Sequence, residues 1–296
     1  MAKQIGKQTY CFDQAPVITG YAAVGSIYEE KGRFGSQFDY IFEDPMAGKQ
    51  SWEQAESELQ KTALKIAMQK AGREPKDIRV LFAGDLLNQC IGSTFGTKGY
   101  GIPFAGVYGA CSTMALSTIL ASVFIDGGLG THAAAVTSSH FCSAERQYRF
   151  PLEYGGQRPP TAQWTATASG ALILSKAGEG ATITKATIGR VTDLGVTDQN
   201  NMGAAMAPAA CDTILQFLGD TDTEPEDYDC IFTGDLGQVG TDLLYKLSEQ
   251  AGVTLRGRHD DCGLLIYDRT KQDVHAGGSG CGCSAAVLCT HILNSL

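Results

Sequence analysis

The chain carries one of its own patterns twice. Residues 74–86 read EPKDIRVLFAGDL and residues 224–236 read EPEDYDCIFTGDL, with seven identities in thirteen at a constant offset of 150. A second pair follows in the same order: ACSTMALST at 110–118 parallels GCSAAVLCT at 282–290, which sets Cys111 opposite Cys283 and Ser112 opposite Ser284. An internal repeat restricts the fold more than any composition can, because each copy must form the same supersecondary unit. Both copies contain a helix-period segment, a short apolar run ending in Gly-Asp, and a small-residue turn into a second helix.

In the first copy, ESELQKTALKIAMQKAG (56–72) has apolar residues at helical spacing and stops at Gly72, a C-cap signal. IRVLFAG, FAGVYGA, THAAAVTSS and SGALILS read as buried strands, and the FAGVYGA run turns at Gly109 into a helix beginning near Ser112. Strands alternating with helices predict a largely parallel sheet covered on both faces. The fold class expected is therefore α/β: a duplicated fold of two similar halves, residues 1–178 and 179–296, with mainly parallel sheets between helix layers. Nothing in the second half corresponds to residues 125–175, so its last two strands are expected to be missing.

The formal net charge is −9 and no run of Lys or Arg stands out, which argues against a nucleic-acid partner. The opening MAKQIGKQTYCFDQ is polar and has no secretory pattern, so the ten cysteines read as reduced thiols rather than a disulfide framework. Residues 99–125 hold no charged side chain, but Pro103, four glycines and many Ser and Thr predict a buried strand, turn and helix rather than a membrane span.

Cys111 sits where a buried strand turns into a helix N-terminus, a place where N–H groups and the helix dipole favour a thiolate or a neighbouring oxyanion. The duplicated plan with an ACS elbow resembles the thiolase and β-ketoacyl synthase superfamily, whose elbow cysteine takes up an acyl group. The resemblance implies a His after the second-half strand and an Asn in the second elbow. The chain has Asp235, Leu236 and Gly237 at the first place and Gly282 at the second, so Cys111 is expected to lack a base and a complete oxyanion hole.

The segments GKQTYCF, AGDLLNQ, GACST, TSSHFCSAERQYRFPLEYGGQ, DLGVTD, MGAAMAPAA, RHDDCGLLIY and AGGSGCGCSA together resemble the stage V sporulation protein AD family of endospore-forming bacteria. This implies a non-catalytic thiolase-like protein that binds dipicolinic acid, or its calcium chelate, with no other cofactor. It also implies other stage V sporulation membrane proteins as partners and a place in the spore or forespore, peripheral at the inner membrane. Family members continue past the second elbow helix with the two strands missing here. An acyl-transferring condensing enzyme using Cys111 is the alternative, and a scaffold with a vestigial pocket a third reading.

The expected ligand-binding residues are Cys111, Ser112, Asp85, His140, Asp235 and Cys283. Asp85 and Asp235 are repeat-related carboxylates at strand ends and read either as solvated turns or as facing a shared cavity. His140 ends a strand, where pockets of parallel sheets open, but a lone His is more often structural. Arg146, Arg149 and Arg158, with Tyr148 and Tyr154, form a surface segment or a carboxylate grip. Asp260 and Asp261 beside His259 read as a loop face or a cation site. Cys262, Cys281, Cys283 and Cys289 lack the paired C-x-x-C spacing of a zinc site.

Overall fold

The computed structural model describes residues 2–148 and 156–296; Arg149 and Tyr154 lie outside the described residues. A seven-stranded sheet has the order 181–182, 17–26, 168–175, 132–139, 80–84, 104–106, with Tyr40–Phe42 also paired to Val17–Ser26. Strand Val80–Gly84 is parallel to Phe104–Gly106 and His132–Ser139. Ala168–Ser175 lies antiparallel to both His132–Ser139 and Val17–Ser26, and Ala181–Thr182 is antiparallel to Val17–Ser26. Five strands thus run one way and two against them, which makes the sheet mixed but mostly parallel. His132–Ser139 is buried along almost its whole length and Ala168–Ser175 along all of it. That explains why they read as continuous apolar or small-residue runs instead of alternating ones.

The sheet is covered on both faces. Helix Trp52–Lys70 starts at Ser51, whose Oγ accepts from Gln54 N at 3.3 Å, and presents Leu59, Ala63, Leu64, Ala67 and Met68 to Ala22, Val24, Leu81, Ala83, Val136 and Ile173. Gly72 follows it with φ +62°, as the C-cap pattern requires. On the opposite face Met114, Ala121 and Ile125 of helix Thr113–Asp126 pack beside Ala285, Cys289 and Leu293 of the C-terminal segment, against Ala23, Ala135, Leu172 and Leu174. Helix Cys281–Val287 lies directly on the sheet: a Cβ at Gly170 would meet Ala285 O at 2.6 Å.

The longest strand, Val17–Ser26, is absent from the sequence reading. Gly20 and Gly25 obscure its pattern, and both are there for close approach. A Cβ at Gly20 would lie 2.5 Å from Ala67 O, and one at Gly25 would lie 2.7 Å from the Phe38 ring.

The repeat is visible at the atomic level. Glu74 N donates to Asp77 Oδ2 at 2.8 Å and Glu224 N donates to Asp227 Oδ2 at 3.0 Å, so EPKD and EPED close the same capped 3-10 turn. Strand Ile231–Thr233 then pairs in parallel with His259–Asp261, and among the described residues these two strands make up that sheet. Helices Met202–Thr221 and Gly237–Gln250 pack beside it around Cys211, Leu236, Leu244 and Leu255. Among the described residues no helix is long and apolar enough to cross a membrane.

Candidate functional site

The elbow is tied from within. Ala110 adopts φ +47° although it is not glycine, Ser112 Oγ donates to Gly109 O at 2.7 Å, and Thr113 Oγ1 donates to Ala110 O at 2.6 Å. A strained turn held by its neighbours is a common feature of a functional position. It brings Cys111 to the start of helix Thr113–Asp126, with Ser112 exposed to solvent.

Cys111 meets Asp235 from the second half. The residue is half-buried, and Asp235 lies close enough for its charge to act on the thiol. Burial is the largest cause pushing the thiol well above its ordinary range, and the charge of Asp235 adds to it. The expectation that the helix N-terminus would favour a thiolate is therefore reversed: desolvation and a facing carboxylate outweigh the dipole, and Cys111 is a neutral thiol at neutral pH.

Asp235 is only 4% exposed. Its Oδ2 accepts from Gly280 N at 2.7 Å and Ser279 Oγ at 3.4 Å, and its backbone oxygen accepts from Gln163 Nε2 at 2.7 Å. Burial raises its carboxyl, opposed by the neighbouring Cys111 thiol and by the bonds from Gly280 and Ser279. Cys283 packs below, with its sulfur 3.9 Å from Gly234 O, and Cys281 donates to Ser138 O at 3.0 Å; burial raises both thiols.

Asp85, the repeat partner of Asp235, lies in a different environment. Its Oδ2 accepts from Ser93 N at 2.7 Å and Ser93 Oγ at 2.5 Å, and its Oδ1 from Leu87 N at 2.9 Å. The sequence reading missed its neighbour Glu56, which accepts from Ser138 at 2.9 Å, lies 2.9 Å from the Ser143 hydroxyl, and is pushed up to about 8 by burial and by Asp85. The available signal was a carboxylate inside the apolar stripe of helix Trp52–Lys70, between Ala55 and Leu59. With three donors on Asp85, that residue is the anion and Glu56 holds the proton.

His140 is buried with both ring nitrogens engaged: Nε2 donates to Pro45 O at 2.9 Å and Nδ1 accepts from Cys142 N at 3.2 Å. Burial lowers it, so it is a neutral ring tilted against Trp52 and not a free base. Arg146 pairs with Glu53. Arg158 donates to Asp273 O at 2.7 Å and lies 4.8 Å over the Trp164 ring. Tyr148 donates to Leu86 O at 2.6 Å and meets the hydroxyl of Tyr108, which directly precedes Gly109 of the elbow.

Asp261 is neither a loop face nor a cation site. It is fully buried and accepts from Thr233 Oγ1 (2.6 Å), Leu236 N (2.8 Å), Gly237 N (2.9 Å) and Leu264 N (3.2 Å). Among the described residues no three His, Cys, Asp or Glu side chains are placed to hold a metal ion. An open groove of about 510 Å³ between Lys31–Arg33 and Leu264–Lys271 shares no lining residue with the Cys111 site.

Residues 6–296 match the family model for stage V sporulation protein AD. The chain belongs to the stage V sporulation protein AD family. It is 44% identical over 294 residues to stage V sporulation protein AD of Bacillus subtilis (strain 168), covering 99% of this chain and 87% of that protein. Among solved structures it is similar to cerulenin-bound OleA of Xanthomonas campestris, with a TM-score of 0.65, 14% identity, and coverage of 97% of this chain and 91% of that one. It is also similar to 3-oxoacyl-(acyl-carrier-protein) synthase III from Aquifex aeolicus VF5, with a TM-score of 0.56, 10% identity, and coverage of 95% and 91%. At these identities the structures show the fold, which is thiolase-like. This sporulation family member therefore has an elbow cysteine facing a carboxylate.

Proposed function

We propose that the chain is a non-catalytic thiolase-like protein that binds dipicolinic acid, or its calcium chelate, at the Cys111–Asp235 site for loading of the developing spore. The observation that supports this reading most is the thiol–carboxylate couple. Acyl transfer needs a thiolate. Here burial and the Asp235 carboxylate keep Cys111 protonated, and His140 is occupied elsewhere.

The start of helix Thr113–Asp126 lies at the elbow, and a helix N-terminus suits a carboxylate. The facing Asp235 penalises a bare dianion, and the chain is net acidic, so the charge-compensated chelate is the better ligand. Other stage V sporulation membrane proteins are the proposed partners, with the protein peripheral at the forespore inner membrane.

Two measurements test this. Calorimetry with dipicolinate should show stronger binding with calcium than without, and Cys111→Phe should abolish both while the melting curve stays intact. Incubation with acetyl-CoA or malonyl-CoA, followed by intact mass, should leave Cys111 unmodified. Stoichiometric acylation with turnover would replace this reading with the condensing-enzyme one.

A further inference from the structure

The turn that carries Asp235 is held by one buried side chain, Asp261. Leu236 and Gly237, the two residues after Asp235, both donate their N–H groups to Asp261, at 2.8 and 2.9 Å. Gly237 has φ +62°, and a Cβ there would meet Ala276 O at 2.6 Å and Gln163 Nε2 at 2.9 Å, so the turn has little room to settle elsewhere.

Proton positions around Asp261 follow from valence. Thr233 has one hydroxyl proton and gives it to Asp261 Oδ2 at 2.6 Å. Its oxygen must therefore accept from His259 Nε2, 2.9 Å away. That fixes the His259 tautomer and leaves Nδ1 as acceptor for the Tyr245 hydroxyl at 3.2 Å. Burial lowers His259 to about 4, consistent with the neutral ring this requires. Tyr245 is half-buried and sits under Arg256, whose guanidinium lies 4.4 Å from the ring and pairs with Glu249 at 3.0 Å. A single-file chain of hydrogen bonds thus runs from the protein surface through Tyr245, His259 and Thr233 to Asp261.

We propose that Asp261 is the positioning residue of the Cys111–Asp235 site, and that the Thr233–His259–Tyr245 chain ties its hold on the Asp235 turn to the pH outside. The inference rests on the reading of that couple as the ligand site. A carboxylate can accept from all four donors. A protonated Asp261 must itself donate, and of its partners only the Thr233 hydroxyl can reverse to receive the proton, so the amide contacts weaken. The titratable groups facing Asp261 are Asp235 and Asp260, the His259 ring, the Cys262 and Cys283 thiols, and the Tyr245 phenol. Burial and Asp235 raise Asp261 to about 6, against the bonds from Thr233, Gly237 and Leu236. The hold is complete above neutrality and lost as pH falls through about 6.

The test uses the full chain and reads Cys111 reactivity, which requires no ligand. Modification by dithiodipyridine, which reacts at acid pH, is followed at Cys111 by peptide mass from pH 4.5 to 8. With Asp261→Asn the Cys111 rate at pH 7.5 should rise about tenfold over wild type, the size of one charge-assisted bond. The ratio should fall to about one below pH 5, where wild type has lost the same hold. A merely structural lesion would give a ratio independent of pH, and that result, or no rise at pH 7.5, overturns the proposal. Thr233→Val keeps the three amide contacts and removes the largest influence lowering Asp261. It should move the midpoint of the wild-type profile upward by about one pH unit, and an unmoved midpoint also overturns the proposal. If the Cys111 profiles behave as stated but dipicolinate does not bind, the ligand reading fails and the positioning role stands.

Discussion

Replacing Glu56 by Gln should make the protein more stable at alkaline pH and leave it nearly unchanged at acid pH. Glu56 is fully buried on the sheet-facing side of helix Trp52–Lys70, and desolvation with the nearby Asp85 charge raises it from 4.5 to about 8. A carboxyl raised on folding binds its proton more tightly in the folded state. The stability it confers is complete below the unfolded value of 4.5 and is lost as pH rises towards 8. Each pH unit in that window costs about 1.4 kcal/mol, and the whole interval costs on the order of 5 kcal/mol.

Gln has the shape of protonated Glu and no charge to desolvate. One amide end can accept from Ser138. The other can donate to Ser143, whose hydroxyl keeps His140 O as its own acceptor at 3.2 Å. The loss at pH 5 should therefore be below about 1 kcal/mol, and the gain at pH 8 about 3–4 kcal/mol. Urea denaturation of both proteins at pH 5, 6.5 and 8, compared at constant m-value, measures this directly. A wild-type stability flat between pH 5 and 8, or a Gln variant less stable at pH 8, would refute the assignment of the proton to Glu56.

Two further outcomes follow from the same geometry. Asp235→Asn removes the second cause holding the Cys111 thiol up, so the pH midpoint for alkylation of Cys111 should move to lower pH; an unmoved midpoint would mean the carboxylate does not face the sulfur. Gly170→Ala should destabilise the fold by about 1–3 kcal/mol, seen as a lower Tm, because its Cβ would lie 2.6 Å from Ala285 O; an unchanged melt would mean helix Cys281–Val287 does not rest on that strand.

The features readable in the sequence are those set by neighbours along the chain. The EPKD and EPED turns close on their own side chains, Gly72 ends its helix with a positive φ, and the Cys111 elbow is bonded within residues 109–113. These are local hydrogen bonds and dihedral preferences, so the residues that make them also specify them. The α/β plan follows from them because the strands that repeat as apolar runs have both faces covered.

The site is a product of the docking of the two halves. Asp85 and Asp235 hold equivalent places in the repeat, yet one is bound by Ser93 and the other faces Cys111. No pattern within thirteen residues distinguishes them, because the difference lies in what each half packs against. Glu56 and Asp261 show the same limit. Their charges are plain in the sequence, but whether a carboxylate is solvated, protonated or holding a turn depends on water exclusion and on donors from distant segments. Val17–Ser26 was hidden for a related reason: its glycines make room for Ala67 and Phe38, contacts that exist only once the helix has settled on the sheet. Chain order therefore determined the turns and the duplicated plan. Burial, which is a property of the assembled whole, decided the protonation and the partner of each functional group.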